Sequence, residues 1–448
     1  MKVMFGGQIG RDEAMARRLL DSDCQLYTAA QYLNPGLMAK VEASGGQFYP
    51  NIDITSPSPM AELAVQVQPE LFYTNSDDAL AAGVVNAIKS VLPKVLIASP
   101  TQEEARIESD KFEAREIVAS IDDKYNPDYQ VATNPENLED AIDHFIKAGK
   151  PVAVKPRGLT GGKGVKVMGK HFETHQEARE YALQVLANPN QKGVVLEEKL
   201  EGFEFTIQAL TDGKILIVPP ATYDYPYRED GDAGPGTGGM GCFTIADGLL
   251  PFLKQSDYDE AIGLMQKVQA RLAKQNRAVK GTLYGSFFMT KEGLKLVEFN
   301  VRLGDPEGIN IMELLEDDVD MLEVLQQIAR AELDEKSIRF KKAASAVIYL
   351  VSPEYAHQDK GPTYEFDLDP RVIEVHDCRL YFAAAERIGG NRFKNVGNSR
   401  TFAVGTLAGT PWEARAKIHD ALKQGYRGKL KYRPDIASQA YIESLTSF

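Results

Sequence analysis

The sequence predicts a multidomain protein of mixed class, in which an amino-terminal α/β domain with a parallel sheet precedes α+β units. Over residues 1–100, short apolar runs alternate with longer amphipathic runs, a pattern typical of parallel strands covered by helices. After residue 121 strand-like runs no longer alternate regularly with helical runs, and this pattern indicates an α+β module. A chain of 448 residues has room for about two to four domains.

The amino-terminal elements are predicted from their periodicity. Strands are expected at 2–7, 25–29, 70–75 and 94–100, and helices at 11–21, 60–67 and 77–91. Ligands of parallel sheets bind beyond the carboxyl ends of the strands, so the loops after these strands are candidate binding loops. Interleaved acidic and basic residues at helical spacing predict one further helix over 101–119.

The rest of the chain gives two further groups of elements. After residue 121, a helix is predicted at 174–187 and strands at 151–156, 165–168, 194–200, 205–211, 282–290 and 294–300. A last unit begins near residue 338, with a helix predicted at 412–424 and strands at 345–353, 372–377, 380–386 and 401–409.

Composition and charge exclude several classes of protein. Fifty-one basic and 64 acidic residues give a formal net charge of −13, which opposes nonspecific nucleic-acid binding. The three cysteines, Cys24, Cys242 and Cys378, lack the spacing of a zinc site, and neither structural metal nor disulfides are expected. No signal sequence and no run of about 18 apolar residues is found, which predicts a cytoplasmic protein without a membrane partner.

The segment KPRGLTGGKG, residues 155–164, is the first candidate binding motif. Lys155 ends an apolar strand, and the glycine-rich turn that follows carries Lys163. Backbone N–H groups in such a turn can approach phosphate oxygens while ammonium groups neutralise their charge. The turn is not a Walker A loop, because Gly164 stands where that motif has Ser or Thr. An ordinary hairpin turn with an exposed lysine remains the alternative.

The segment LVEFNVRLGDPE, residues 296–307, is the second candidate motif. Strand alternation places Glu298, Asn300 and Arg302 on one face. Carboxylate and amide oxygens suit Mg²⁺, and a guanidinium suits bidentate phosphate contact. The alternative is the polar face of a solvent-exposed strand.

Two glycine-rich segments are weaker candidates. Residues 230–243 contain seven Gly or Pro in fourteen positions, which suggests a ligand-contacting loop. Residues 6–11, GGQIGR, lie between a predicted strand and helix and could hold an anion, although a tight turn is the alternative. No nucleophile motif, zinc-protease motif or kinase loop occurs in the sequence.

Taken in order, several segments resemble the phosphoribosylamine–glycine ligase family of the ATP-grasp superfamily. The resemblance extends from about residue 6 to about residue 436. The segments that carry it are RIESDKFEAREI, VAVKPRGLTGGKGV, VVLEEKLEGFEF, GPGTGGMG, GTLYGSFFMTKEGLKLVEFNVRLGDPE and YRPDIA. The resemblance implies a pre-ATP-grasp domain over 1–103, an ATP-grasp domain over 104–335 with a mobile lid at about 121–193, and a carboxy-terminal domain over 336–448.

The resemblance also implies a role for individual residues. ATP and Mg²⁺, with Mn²⁺ as a substitute, are the expected cofactors, and Glu298 and Asn300 match the metal ligands. Lys155, Arg302 and Asp305 match catalytic positions. The residues that match nucleotide-binding positions are Arg115, Lys155, Gly161, Gly162, Lys163, Gly164, Glu197, Glu198, Leu200 and Glu204. The residues assigned to the substrates are Gly7, Gly10, Arg11, Asp77, Asp224, Gly238, Gly239, Arg302 and Asp305.

The implied activity is the ATP-dependent joining of glycine to 5-phosphoribosylamine through an acyl phosphate, a step of purine biosynthesis. Positioning and charge neutralisation can support such chemistry without a protein nucleophile. The expected partners are small molecules, with no nucleic acid, and the chain is expected to be a monomer or a small homo-oligomer. The alternatives are ligation to a different amine or amino acid, a nucleotide-binding regulatory protein without catalysis, and a dehydrogenase-type role for residues 1–100.

The sequence departs from the family pattern mainly on the acceptor side. Residues 7–14 read GQIGRDEA where the family has GxxGREHA, and residues 74–80 lack the proline-shaped turn that is usual there. A basic pair is missing within 221–232, and Gly236 replaces the usual asparagine. Val301 and Leu303 replace Ala and Phe. The ATP site is therefore predicted more firmly than the acceptor site.

Overall fold

A computed structural model of the protein describes residues 1–161, 164–358 and 360–446. The predicted nucleotide-loop residues Gly162 and Lys163 lie outside the described residues. The predicted fold class is confirmed: a parallel amino-terminal sheet is followed by antiparallel sheets.

The amino-terminal region is a parallel sheet with helices on its faces. Its strands pair in the order β3-β2-β1-β4-β5. Strands β1 to β5 are Lys2–Gly6, Gln25–Ala29, Gln47–Tyr49, Leu71–Thr74 and Leu96–Ile97, and helices α1 to α5 are Gly10–Leu19, Pro35–Ala43, Pro57–Val67, Asp77–Ala82 and Val84–Val91. The loops after β1 and β4 leave the same edge of the sheet and lead into α1 and α4.

The next region begins with two helices and forms a small antiparallel sheet of order β6-β9-β7-β8. Its elements are α6 Arg106–Ser109, α7 Lys111–Asp122, β6 Tyr129–Ala132, α8 Pro135–Ala148, β7 Val152–Pro156, β8 Lys166–Val167, α9 His175–Leu186 and β9 Val194–Glu198. Phe145, Val154 and Leu196 belong to an apolar core of this unit that is separate from the main core. The mobility of this lid stays a prediction.

A second antiparallel sheet has the order β11-β10-β16-β17. The elements of this region are β10 Phe203–Thr211, β11 Leu216–Ile217, β12 Tyr223–Asp224, β13 Tyr227–Glu229, β14 Ala233–Gly236, β15 Gly241–Thr244, α10 Gln255–Ala273, β16 Gly281–Thr290, β17 Gly293–Asn300, α11 Glu307–Leu314 and α12 Met321–Arg330.

The carboxy-terminal strands form two sheets, and one of them includes strands from the preceding region. The order β12-β15-β18-β23-β20 places β12 and β15 beside β18, and the other sheet has the order β21-β22-β19-β24. The elements are β18 Ala344–Val351, β19 Glu365–Leu368, α13 Pro370–Val375, β20 Arg379–Phe382, β21 Ala385–Gly389, β22 Arg392–Asn395, β23 Arg400–Ala408, α14 Pro411–Gly425, β24 Tyr426–Arg427 and α15 Gln439–Ser444. The predicted domain boundaries at 103/104 and 335/336 stay predictions.

Four predicted elements differ from the structure. The helix predicted at 77–91 is divided into α4 and α5 at Gly83, which has φ of +85°, and the strand predicted at 380–386 is divided between β20 and β21, which belong to different sheets. The single helix predicted at 101–119 is divided into α6 and α7 at Asp110, whose extended backbone breaks the first helix and whose carboxylate accepts from the Phe112 and Glu113 N–H groups. The strand predicted at 372–377 is largely helix α13. Asp369 caps this helix, Pro370 begins it, and Ile373 is its one buried residue.

Within residues 1–161, 164–358 and 360–446, none of the helices combines the length and the apolar character needed to cross a membrane.

The partly buried His419 on α14 leads to a prediction about acid stability. Its ring packs edge-on against Tyr432, with centroids 5.2 Å apart. Burial, followed by the charge of Arg415, lowers the pKa of His419 to about 4. Because the unfolded chain binds this proton near pH 6.5, the unfolding free energy should fall as the pH drops from about 6.5 to about 4.

Replacing His419 by glutamine should remove about 1–2 kcal/mol of that acid-induced loss, a value reduced for the partial exposure of the ring. Urea unfolding at pH 7 and at pH 4.5 measures the difference for both proteins. Equal losses in the two proteins would count against a buried neutral His419.

Candidate active site

A buried carboxylate between two cations lies at the centre of the candidate site. Glu197 on β9 accepts from Lys155 Nζ at 2.6 Å and pairs with Arg115 Nη2 at 2.7 Å. The Glu197 and Arg115 side chains are each 3% exposed. Burial alone would raise the pKa of Glu197, but Arg115 and then Lys155 hold that pKa below its ordinary value. The three predicted nucleotide-site residues therefore form one ion-pair cluster.

Strand pairing explains this arrangement. Strands β7 and β9 are antiparallel, with Ala153 opposite Glu197 and Lys155 opposite Val195. Lys155 and Glu197 are therefore diagonal neighbours on one face, within reach of long side chains. Arg115 also donates to the Leu296 and Val297 carbonyls at 3.0 and 2.7 Å, so it joins α7 to β17 as well as to Glu197.

Lys111 is a cation of this cleft that the sequence analysis missed. It begins α7 immediately after the break at Asp110, and its Nζ donates to the Gly158 carbonyl at 3.1 Å. Burial lowers the pKa of Lys111, the Glu298 carboxylate opposes that shift and Lys155 adds to it. Lys111 therefore lies between the first glycine of the 158–164 turn and the predicted metal ligands. Asp110 is a helix-capping residue and could have indicated a helix that begins at Lys111. It was missed because one long helix was predicted across both residues.

The predicted metal ligands lie next to each other on β17. Asn300 Nδ2 donates to Glu298 Oε1 at 3.4 Å, and Asn300 Oδ1 accepts from Arg302 Nη2 at 3.4 Å. Within the described ranges, no basic side chain forms an ion pair with Glu298, and no cluster of three or more His, Cys, Asp or Glu could hold a metal. One carboxylate and one amide oxygen fit Mg²⁺, which takes one or two protein ligands and completes its shell with water and phosphates.

Glu204 extends the acidic side of the same cleft. It lies on β10, and its Oε1 accepts from Ser286 Oγ at 2.6 Å. Ser286 pairs with Glu298 across β16 and β17, so Glu204 and Glu298 flank one serine. Burial raises the pKa of Glu204.

Other predicted nucleotide-site residues have different environments. Glu198 pairs with Lys150 Nζ at 2.8 Å and accepts from the Asp128 N–H at 2.9 Å, so its carboxylate is directed into the lid unit. Gly161 has φ of +56°, and the Gly164 carbonyl accepts from Tyr181 Oη at 2.8 Å. Leu200 lies just after β9 and is half-buried.

Asp305 connects three parts of the chain. Its carboxylate accepts from the Arg11 N–H at 3.1 Å and from Tyr349 Oη at 2.9 Å, and it pairs with Arg400 Nη2 at 2.9 Å. The peptide bond from Asp305 to Pro306 is cis. The Arg11 side chain donates to the Leu303 carbonyl at 2.8 Å and to the Asn75 carbonyl. Both oxygens of Asp305 are thus engaged by protein donors.

The amino-terminal glycines allow close packing at this junction. A Cβ on Gly10 would collide with Tyr349 Oη, and a Cβ on Gly7 would lie 2.5 Å from the Asp12 carboxyl carbon. Asp12 accepts from the Gln8 and Ile9 N–H groups and thereby caps α1. The loop in front of α1 is therefore held against the Asp305 junction.

The glycine-rich loop contacts the same junction from the other side. Arg400 Nη1 donates to the Gly238 and Gly239 carbonyls and to the Asp305 carbonyl. Gly239 has φ of +101°, and a Cβ there would lie 2.8 Å from Asp224 Oδ1. Burial, followed by the charges of Glu307 and Glu204, raises the pKa of Asp224 well above its usual range.

Comparisons with known proteins place this arrangement in a family. The phosphoribosylglycinamide synthetase ATP-grasp (A) domain matches residues 109–308. The phosphoribosylamine–glycine ligase of Pyrococcus furiosus is 34% identical over 445 residues, which cover 99% of this chain and 96% of that protein. This chain belongs to the phosphoribosylamine–glycine ligase family. A family member from Methanobrevibacter smithii is 35% identical and covers 98% of this chain, with 96% of that protein matched.

Solved structures share the fold. The crystal structure of phosphoribosylamine–glycine ligase from Thermotoga maritima has a TM-score of 0.76 at 22% identity and covers 98% of this chain and 100% of that one. The biotin carboxylase domain of the Hydrogenobacter thermophilus 2-oxoglutarate carboxylase, crystallised with MgADP, has a TM-score of 0.72 at 14% identity, covering 99% of this chain and 92% of that one.

Two departures from the pattern of the phosphoribosylamine–glycine ligase family fall in the core. Val301 and Leu303 are 1% and 0% exposed, so their side chains pack inside the protein next to the site residues. Gly236 ends β14, opposite Tyr227 of β13. Arg400 and Tyr349, which hold Asp305, come from the carboxy-terminal strands and were missed by the sequence analysis because no local motif marks them.

Proposed function

We propose that this protein joins glycine to 5-phosphoribosylamine with conversion of ATP to ADP and phosphate, giving glycinamide ribonucleotide. The observation that carries the proposal is the cleft lined by Lys111 and Glu298, in which Arg302 donates to Asn300 beside Glu298. Identity of 34% to a family member over nearly the whole chain supports the choice of substrates.

The chemistry proceeds in two balanced steps. A carboxylate oxygen of glycine attacks the γ-phosphorus of ATP, which breaks the bond to the bridging oxygen and releases ADP. The amine nitrogen then attacks the acyl carbon, phosphate leaves, and the nitrogen loses one proton. Phosphoryl transfer of this kind depends on positioning and on stabilisation of negative charge.

The residues of the cleft provide that stabilisation. Lys155 and Lys111 would neutralise the triphosphate, and Arg302 would contact the transferring phosphoryl group. Glu298 and Asn300 would hold Mg²⁺, which when bound neutralises phosphate charge. The cysteines Cys24, Cys242 and Cys378 are free and buried, so a thiol nucleophile is not part of the mechanism.

On the acceptor side, near Asp224, three acidic side chains lie close together. Glu307 is buried and lies near Asp224 and Glu204, which are half-buried, and the charges of Glu307 and Glu204 raise the pKa of Asp224. No ion pair joins any of the three to a basic side chain in the described part of the protein. Carboxylates that have no ion-pair partner in the protein favour a ligand that carries an amino group. We propose that these carboxylates hold the amino groups of the substrates. This proposal agrees with the sequence-based expectation that Asp224 contacts substrate.

A different amine is the second candidate substrate. It is favoured by the Asp224-Tyr225-Pro226-Tyr227 segment, where the family has a basic pair after the aspartate. Loss of two positive charges in the acceptor loop would weaken the binding of a phosphorylated amine.

Formation of ADP tests the proposal. Purified protein with Mg·ATP should form ADP only when both glycine and freshly generated 5-phosphoribosylamine are present, and mass spectrometry should detect the amide. Matched reactions with alanine or with ribosylamine lacking the phosphate distinguish the two candidate reactions. Rapid turnover with another amine and none with phosphoribosylamine would transfer the proposal to that amine.

A further inference from the structure

Glu108 is a buried carboxylate next to the site that none of the roles above uses. It lies on the short helix α6, two residues before the interruption at Asp110 that separates α6 from α7, and it is 6% exposed. Its Oε2 accepts from the Val301 N–H at 2.7 Å, and its Oε1 lies 3.2 Å from Arg302 Nε. Glu108 is 193 residues from Val301 along the chain.

These contacts fix the backbone between two site residues. Val301 separates Asn300, a predicted metal ligand, from Arg302, the predicted phosphoryl-facing cation. An N–H donated to a carboxylate at this distance is a strong, charge-assisted hydrogen bond. Glu108 therefore holds the chain where it leaves β17 and controls the direction of the side chains on both sides of Val301.

The same carboxylate also forms an ion pair with the Arg302 guanidinium, although, among the described residues, neither Arg302 Nε nor Glu108 Oε1 makes a hydrogen bond. Nη2 of Arg302 reaches Asn300 Oδ1 at 3.4 Å and lies 4.0 Å from Asp77, and Nη1 reaches the Leu303 carbonyl at 3.4 Å. The contact between Nε and Glu108 is the shortest of these, and the side chains of Arg302 and Glu108 are 17% and 4% exposed. Without it, a long and flexible side chain would be held only by weaker contacts around its outer nitrogens.

We propose that Glu108 is a positioning residue for phosphoryl transfer, which holds Val301 and Arg302 so that Arg302 and Asn300 face the reacting phosphoryl group. Glu108 acts through these residues and does not touch the substrates. The inference rests on the proposed function, because it assigns Arg302 to the transferring phosphoryl group. Geometric errors of about 1 Å in such a group are sufficient to lower turnover strongly.

The variant Glu108→Gln tests this role with a matched control. Glutamine can still accept from the Val301 N–H, but it loses the charge that holds Arg302. The control is Glu113→Gln on α7. The Glu113 carboxylate also pairs with two arginines, Arg106 at 2.6 Å and Arg277. Both variants remove one partly or fully buried negative charge from an arginine contact.

For Glu108→Gln we expect kcat to fall about 10- to 100-fold, with KM for ATP and for glycine changed less than about threefold. For Glu113→Gln we expect kcat within about twofold of wild type, although its melting temperature also falls. The variant Glu108→Asp, which keeps the charge, should recover part of kcat. Glu108→Gln with wild-type kcat, or with the same kcat as Glu113→Gln at equal loss of melting temperature, would overturn the positioning role.

Failure of the proposed function gives a different result. In that case wild-type protein forms no glycine-dependent ADP with phosphoribosylamine. The positioning role is then tested by crystal structures of wild type and Glu108→Gln, in which Arg302 is expected to move away from its wild-type position while β17 does not. An unchanged Arg302 side chain in the variant would overturn the inference without regard to the substrate.

Discussion

Replacement of Glu298 by glutamine is expected to lower kcat by about 100-fold or more. The amide keeps the size of the side chain and its contact with Asn300, but it removes the negative charge that would bind Mg²⁺. Steady-state ADP formation and a Mg²⁺ titration of activity measure the effect. We expect both a lower kcat and a higher Mg²⁺ concentration at half-maximal activity.

Glu292→Gln is the matched control for this variant. Glu292 lies in the exposed turn between β16 and β17, on the same hairpin as Glu298. Its replacement should change kcat less than about twofold, since an exposed turn residue away from the cleft makes no contribution to the reaction. An active Glu298→Gln enzyme with an unaltered Mg²⁺ titration would contradict the assignment of Glu298 as a metal ligand.

Replacement of Glu197 by glutamine is expected to destabilise the protein by about 3–5 kcal/mol. Lys155 and Arg115 would then lack their shared counter-charge, and the Arg115 and Lys155 side chains are only 3% and 11% exposed. The same change should weaken nucleotide binding, because Lys155 loses the partner that holds it at the end of β7. Denaturant unfolding and calorimetric titration with Mg·ADP measure the two effects.

The neighbouring residue provides the control. Glu198 forms an ion pair of similar length, 2.8 Å, but its partner Lys150 is 40% exposed. Glu198→Gln should therefore cost less than about 1 kcal/mol. If both variants lose the same free energy of unfolding, the ion pairs of Glu197 with Arg115 and Lys155 do not stabilise the protein more than the exposed pair of Glu198.

Local parts of the candidate site were predictable from the sequence. Glu298, Asn300 and Arg302 are spaced by two along one strand, so alternation alone places them on one face, and the structure has them in mutual contact. Lys155 was predictable for a similar reason, because the apolar run before it ends at a glycine-rich turn.

Residues brought together by tertiary folding were not predictable in the same way. Glu108 contacts Val301 across 193 positions, and Tyr349 reaches Asp305 across 44. Periodicity carries no information about such distances, and α13 shows a further limit: its apolar residues suggested a strand, but capping by Asp369 produced a helix.

The glycines before α1 illustrate a related ambiguity. Gly7 and Gly10 were expected to contact substrate, and the structure gives them a packing reason, since a Cβ at either position would collide with a neighbouring side chain. Their contact with substrate stays a prediction. A glycine required for close packing and a glycine required for ligand approach look the same in one sequence.

The fate of the carboxylate oxygen of glycine is the most direct test of the proposed mechanism. Glycine labelled with ¹⁸O in its carboxylate is converted with Mg·ATP and phosphoribosylamine, and the released phosphate is analysed by mass spectrometry. If the carboxylate attacks the γ-phosphorus, each phosphate released carries one labelled oxygen and the amide retains the other. Unlabelled phosphate released during amide formation would contradict the acyl-phosphate route.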